Sequence, residues 1–172
     1  MWFFTGKGDK GDTSLFSGER LPKSSIEFEL IGTLDEVTAF IGLIVSTSDY
    51  QEITNVLKQI QQDLSHLMGF IASTNRNAVG PQFNLGDAVS SLEEYIRHFG
   101  AELENPQGFI FSGSSITGAY LDVVRTITRR AERISVRMAE SRDGFEKAVL
   151  VYLNRLSSLF YILRLFVDNK SN

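Results

Sequence analysis

Arg125, Arg129, Arg133 and Arg137 recur at every fourth position, with Arg130 beside them. On a helix that spacing stacks guanidinium groups on one face, where like charges repel by about 0.2–0.5 kcal/mol per i,i+4 pair. Such a row is unfavourable unless something anionic lies along it. Asp122, Glu132 and Glu140 offset only part of it, because residues 117–141 hold five arginines against three acids. Guanidinium groups stay charged and bind phosphate oxygens bidentately, so one reading is a polyphosphate site. The other is a solvated helix face whose partner carboxylates stand on a neighbouring helix.

A second group opens the chain: Thr5-Gly6-Lys7-Gly8-Asp9-Lys10-Gly11-Asp12-Thr13-Ser14. Glycines let backbone N–H groups close on an anion, and Lys, Thr and Ser supply charge and hydroxyl donors. The string suggests phosphate binding, although it lacks the G-x-x-x-x-G-K-[ST] order of a P-loop. Composition alone also fits a solvated tail. Arm and arginine row together would enclose a nucleoside triphosphate, whose roughly four negative charges need donors and usually Mg²⁺. Asp35, in Gly32-Thr33-Leu34-Asp35-Glu36, lies on an otherwise apolar helix. It is costly to bury alone and calls for an arginine partner.

Composition narrows the chemistry further. The 172 residues include no cysteine, which removes disulfides, thiolate metal sites and a catalytic thiol. A net charge of −4 argues against general nucleic-acid binding. The longest apolar run is far below the roughly 18–20 residues that span a bilayer. Met1-Trp2-Phe3-Phe4 is too short for a signal peptide, so the expectation is one soluble, cytoplasmic domain. His66 and His98 are lone helical histidines and receive no role.

Five helices must position these groups. Residues 1–25, broken by Gly6, Gly8, Gly11 and Gly18, read as an arm without regular structure. Apolar residues at helical spacing then predict helices over about 26–47, 50–74, 87–103, 117–141 and 144–167. The clearest stripe is Ile53, Val56, Leu57, Ile60, Leu64, Leu67, Met68 and Ile71. The fourth helix is read on Tyr120, Val123, Val124, Ile127, Ala131, Ile134 and Met138. Arg76–Phe83 and Asn105-Pro106-Gln107-Gly108 are breaks. Asp143-Gly144 leaves room only for a short turn, so the last two helices are expected to be antiparallel neighbours. Nothing reads as a strand, and the expectation is a single-domain, all-α, five-helix bundle.

At this point the chain resembles the PduO-type corrinoid adenosyltransferases, which move adenosyl from ATP to cob(I)alamin. The resemblance rests on residues 5–16, Gly18-Glu19-Arg20-Leu21-Pro22-Lys23 and Gly32-Thr33-Leu34-Asp35-Glu36. It continues through Phe109 with Gly113, residues 125–133, and Tyr152-Leu153-Asn154-Arg155-Leu156-Ser157. It implies an up-down, ferritin-like bundle assembling as a homotrimer, with ATP and Mg²⁺ bound between subunits. Thr5, Gly6, Lys7, Gly8, Thr13, Ser14 and Lys23 would then wrap the triphosphate from one subunit. Arg129, Arg130, Glu132, Arg133 and Asn154 would come from its neighbour, and Asp35 would pair with Arg125 across the interface.

Phe109 is implied to sit beneath the corrin ring in the space of the lower axial ligand, easing reduction of cobalt. Without the resemblance it reads as a core aromatic. Cobalt(I) would attack the ribose C5′ and expel triphosphate, so position and charge matter more than a general base. A corrinoid reductase and an adenosylcobalamin-dependent enzyme are the partners so implied. A catalytically weak nucleotide-binding or cofactor-delivery trimer is the alternative function. The chain departs from the family pattern at three places: Gly6 replaces the usual lysine, Phe111-Ser112-Gly113-Ser114 replaces Leu-Pro-Gly-Gly, and Ser158 replaces an acid.

Overall fold

A computed structural model describes residues 6–15, 18–73, 83–141 and 144–170. Thr5, most of the break at 76–83 and Asp143 lie outside them. The elements in order are β1 (Asp12–Ser14), β2 (Arg20–Pro22), α1 (Ile26–Thr47), α2 (Gln51–Ile71), α3 (Leu85–Gly100), α4 (Ile116–Ser141) and α5 (Ala148–Lys170).

The expected five helices are present, and α1 has the bounds its periodicity predicts. The other ends move by a few residues for local reasons. α3 begins at Leu85, two residues early, because the Asn84 side chain accepts a hydrogen bond from the Gly86 N–H at 2.9 Å and caps it. α5 begins at Ala148 rather than Gly144, since Val149 and Leu150 still bond to the carbonyls of Glu146 and Lys147 in tighter turns. It continues to Lys170, whose ammonium meets Glu102 at 2.9 Å. The expectation of no strand is corrected: β1 and β2 form a short antiparallel hairpin with Thr13 opposite Leu21.

Cross-helix contacts give the directions. Glu36 meets Arg130 and Glu29 meets Arg137, so α1 and α4 are antiparallel. Glu132 with Asn154, and Asp122 with Arg164, make α4 and α5 antiparallel as well. Glu93 with Arg155, and Phe99 against Phe166, run α3 alongside α5 in the same direction. The Gln61 amide donates to the Thr38 carbonyl and ties α2 to α1. His98 meets Glu52 at 2.7 Å between α3 and α2, and His66 stacks on Phe83.

The stripes face inward. Leu34, Ile41, Leu57, Ile60, Leu121, Val124, Leu153 and Leu156 are fully buried. Burial of each such side chain contributes about 1.5–3 kcal/mol. Val123 is a correction within the expected α4 stripe, for it is 39% exposed. By length and mean hydropathy α5 would pass for a bilayer span, which run length alone does not register. It is the central core helix, with 61% of that window buried inside the fold. Tyr152 on α5 is fully buried. Burial and then the Asp63 charge push its phenol well above the ordinary value.

Candidate functional site

The arm is organised by its own backbone. Gly6 and Gly11 take positive φ, at +66° and +87°, which turns the chain twice before β1. The Lys23 N–H donates to the Gly11 carbonyl at 2.7 Å, and the Arg20 guanidinium donates to the Lys7 carbonyl at 3.1 Å. Lys23 lies over Gly8 so closely that a Cβ there would stand 3.1 Å from its ammonium nitrogen. The hairpin therefore brings Gly8 and Lys23, two of the residues singled out by sequence, into one cationic loop. Thr13 is half-buried in β1, while Gly6, Lys7, Ser14 and Lys23 are exposed.

The arginine row divides by helical face. Arg130 and Arg137, seven residues apart, turn toward α1 and pair with Glu36 and, at 2.6 Å, Glu29. For these two the solvated-face reading holds, with carboxylates supplied by the neighbouring helix. Arg125 turns the other way, its Nε 2.9 Å from Asp122 Oδ1. Among the described residues Arg129 and Arg133 meet no carboxylate, and Arg133 only donates to the Arg129 carbonyl at 3.3 Å. Two exposed arginines one turn apart thus remain available to an anion.

Beside them opens a groove of about 350 Å³ between α3, α4 and α5, lined by Arg125, Arg129, Ser157, Ser158 and Tyr161 with flanking isoleucines. Glu132 is engaged within the chain. It accepts a hydrogen bond from the Asn154 side-chain amide at 3.0 Å, and Asn154 Oδ1 accepts from Arg155. Asp35 departs from expectation within the single chain: it is exposed on α1 and so needs no buried partner. The acids of that helix that meet arginines within the chain are its neighbour Glu36 and, two turns earlier, Glu29.

Phe109 is no core aromatic. It is 85% exposed, Phe111 is 79% exposed and Ile116 is 74% exposed, with the two phenyl rings edge to face at 5.1 Å. Each phenyl left in water forgoes about 2 kcal/mol of burial, so an apolar segment of this kind marks a binding surface.

Sequence reasoning missed what holds this segment. Arg164 of α5 is 1% exposed and donates through Nη2 to the Phe111 carbonyl. Its Nε stands 2.8 Å from Asp168 Oδ2 and 3.5 Å from Asp122 Oδ2, as charge contacts. Ser112 donates to Asp122 Oδ2 at 2.6 Å, and Ser115 donates to Asp168 Oδ1 at 2.7 Å. The only hint in the sequence was Arg164 and Asp168 at i,i+4 within an apolar helix.

The fold superposes on solved structures of PduO-type ATP:corrinoid adenosyltransferase from Lactobacillus reuteri. A phenylalanine-to-alanine variant complexed with cobalamin and ATP matches with a TM-score of 0.88 at 27% identity, over 98% of this chain and 94% of that one. An arginine-to-lysine variant complexed with ATP matches with a TM-score of 0.89 at 28% identity, over 98% and 95%. In sequence, a corrinoid adenosyltransferase of Bacillus subtilis is 36% identical, over 99% of this chain and 89% of the relative. A cobalamin adenosyltransferase of Cupriavidus metallidurans is 34% identical, over 92% and 84%. The chain belongs to the cobalamin adenosyltransferase family, whose model matches residues 3–167.

Proposed function

We propose that this chain is an ATP:cob(I)alamin adenosyltransferase, moving the 5′-deoxyadenosyl group of ATP to the cobalt(I) of a corrinoid and releasing triphosphate. The observation that carries the reading is the pairing, on this family's fold, of carboxylate-free Arg129 and Arg133 with the exposed Phe109 segment. One feature suits a polyanionic leaving group and the other a large apolar ring system.

Each residue then has a task. Arg129 and Arg133 bind the triphosphate and stabilise the charge that grows on it as the C5′–O bond breaks. Gly8, Lys23 and Thr13 present N–H, ammonium and hydroxyl donors from the arm, with Gly6, Lys7 and Ser14 on the same arm; Thr5, outside the described residues, is proposed to act with them. Arg130 and Asn154 reach the same phosphates only by sharing with Glu36 and Glu132, so their contribution is smaller. Among the described residues no three His, Asp or Glu side chains gather as a metal site. Mg²⁺ is expected on the phosphates themselves, where it would add Lewis-acid neutralisation. Phe109 lies under the corrin ring and keeps a lower ligand from cobalt.

The arm and the arginine row are proposed to complete one site between neighbouring subunits of a homotrimer. Exposed Asp35 is free to approach Arg125 of a neighbour. The reaction is tested by its stoichiometry: one triphosphate released for each cobalt–carbon bond formed, under anaerobic reduction. Release of ADP and phosphate, or ATP binding with no alkylated corrinoid, would instead support a nucleotide-binding or delivery role.

A further inference from the structure

Asp122 stands on the same face of α4 as the arginine row, one turn ahead of Arg125, and is 6% exposed. Its two oxygens serve two different structures. Oδ1 accepts from Arg125 Nε at 2.9 Å, and Arg125 lines the groove beside Arg129. Oδ2 accepts from Ser112 at 2.6 Å, in the aromatic segment, and faces Arg164 at 3.5 Å.

Charge makes this arrangement sensitive. Asp122 and Asp168 are both buried and share one fully buried cation, Arg164. The cluster is neutral only when Arg125, itself mostly covered, is counted. A buried carboxylate deprived of its partner is strongly unfavourable. If an anion in the groove draws Arg125 away, the nearest replacement for Asp122 is Arg164. Arg164 is also the group that holds the Phe111 carbonyl and faces Asp168, which in turn accepts from Ser115.

We infer that Asp122 is a positioning residue that couples the groove to the aromatic segment: occupation of the arginine row by a polyphosphate re-partners Arg125 and resets residues 109–115. Its catalytic meaning rests on the functional reading above, in which groove and segment take triphosphate and corrinoid. The coupling itself needs only an anion in the groove and a response in the segment. It would let triphosphate occupancy set the place of Phe109 before cobalt approaches.

The test is amide hydrogen exchange of the full chain with and without inorganic triphosphate, alongside calorimetric measurement of triphosphate affinity. In the wild type, bound triphosphate should change exchange across residues 109–118 by about fivefold, the lower end of measurable coupling. Asp122→Asn should bind triphosphate through Arg129 and Arg133 yet lose that response. Ser112→Ala is a milder change that leaves the Arg125–Asp122 pair in place. It should quicken basal exchange at 112–115 with triphosphate affinity unchanged. No response in wild type, or a full response in Asp122→Asn, overturns the inference. Normal adenosyl transfer without the exchange response would sink the coupling and spare the enzyme reading; the response without any transfer would do the reverse.

Discussion

Gly118, in the first turn of α4, lies so close to Asp168 of α5 that any side chain at 118 would overlap Oδ1. A Cβ there would also fall 2.7 Å from the Ser115 hydroxyl. That hydroxyl accepts from the Gly118 N–H at 2.9 Å while donating to Asp168. The close approach seats α4 on α5 at the place where the aromatic segment is anchored.

Gly118→Ala should therefore cost more than a helical Gly→Ala exchange gains. Asp168 cannot swing aside freely, because Arg164 and Ser115 hold it from both sides. Overpacking of this kind costs about 2 kcal/mol, a fall in melting temperature of near 6 °C for a chain of this size. Thermal unfolding checks it, and an unchanged or higher melting temperature would contradict the anchoring role.

Two arginines of the same helix should separate in their effects. Arg129→Ala removes an exposed guanidinium without a carboxylate partner, so it should lower kcat/KM by about 100-fold or more with the melting temperature unmoved. Arg137→Ala removes the partner of Glu29, an exposed pair worth about 0–1 kcal/mol. It should leave turnover within about twofold. Steady-state kinetics with melting curves on both variants makes the comparison.

If the arm and the arginine row belong to one site shared between subunits, inactive variants should complement each other. Lys23→Ala and Arg129→Ala chains, each nearly inactive, should regain activity when unfolded together and refolded as mixed trimers. Random assembly restores some sites to a full residue set while leaving others doubly impaired. No recovery in mixtures that sedimentation shows to be mixed would place both residues in the same subunit's site.

Asp63 gives a pH dependence with a definite sign. Burial raises its carboxyl above the ordinary 3.8, with the Gln59 hydrogen bond and the His66 charge offsetting part of the shift. A raised value means the folded state binds the proton more tightly than the unfolded one, so stability falls as pH climbs through the raised value. Asp63→Asn should thus raise the melting temperature at pH 7, which thermal unfolding of both proteins across pH checks. The gain should shrink as pH falls through the raised value and vanish below 3.8, where wild-type Asp63 is protonated in both states.

Much of this was legible in the chain. Twenty-two residues of strict helical spacing defined α1 to the residue, and the excess of arginine on one helix marked the cationic face. The hairpin escaped because strands of three residues, Asp12–Ser14 and Arg20–Pro22, are too short to show a period of two. Which arginines stay unpaired was also hidden: it depends on which flank of α4 meets α1, and Glu29 and Glu36 are remote in sequence. Nothing in the sequence beyond their spacing singled out Arg164 and Asp168, since i,i+4 pairs on a helix are usually solvent-exposed, and Asp122 counted only as an acid offsetting the arginine row. Only the fold of residues 109–115 over the ends of α4 and α5 buries them.

The most direct measurement is an anaerobic assay of the purified chain with reduced cobalamin and MgATP, following loss of the cob(I)alamin absorbance and appearance of a light-sensitive cobalt–carbon product. Product should form in the wild type, and Phe109→Ala should lose at least about 10-fold in rate. Because Phe109 is 85% exposed, that variant should melt as the wild type does. Wild-type turnover in Phe109→Ala would remove the aromatic segment from the chemistry, and no product from the wild type under full reduction would contradict the account as a whole.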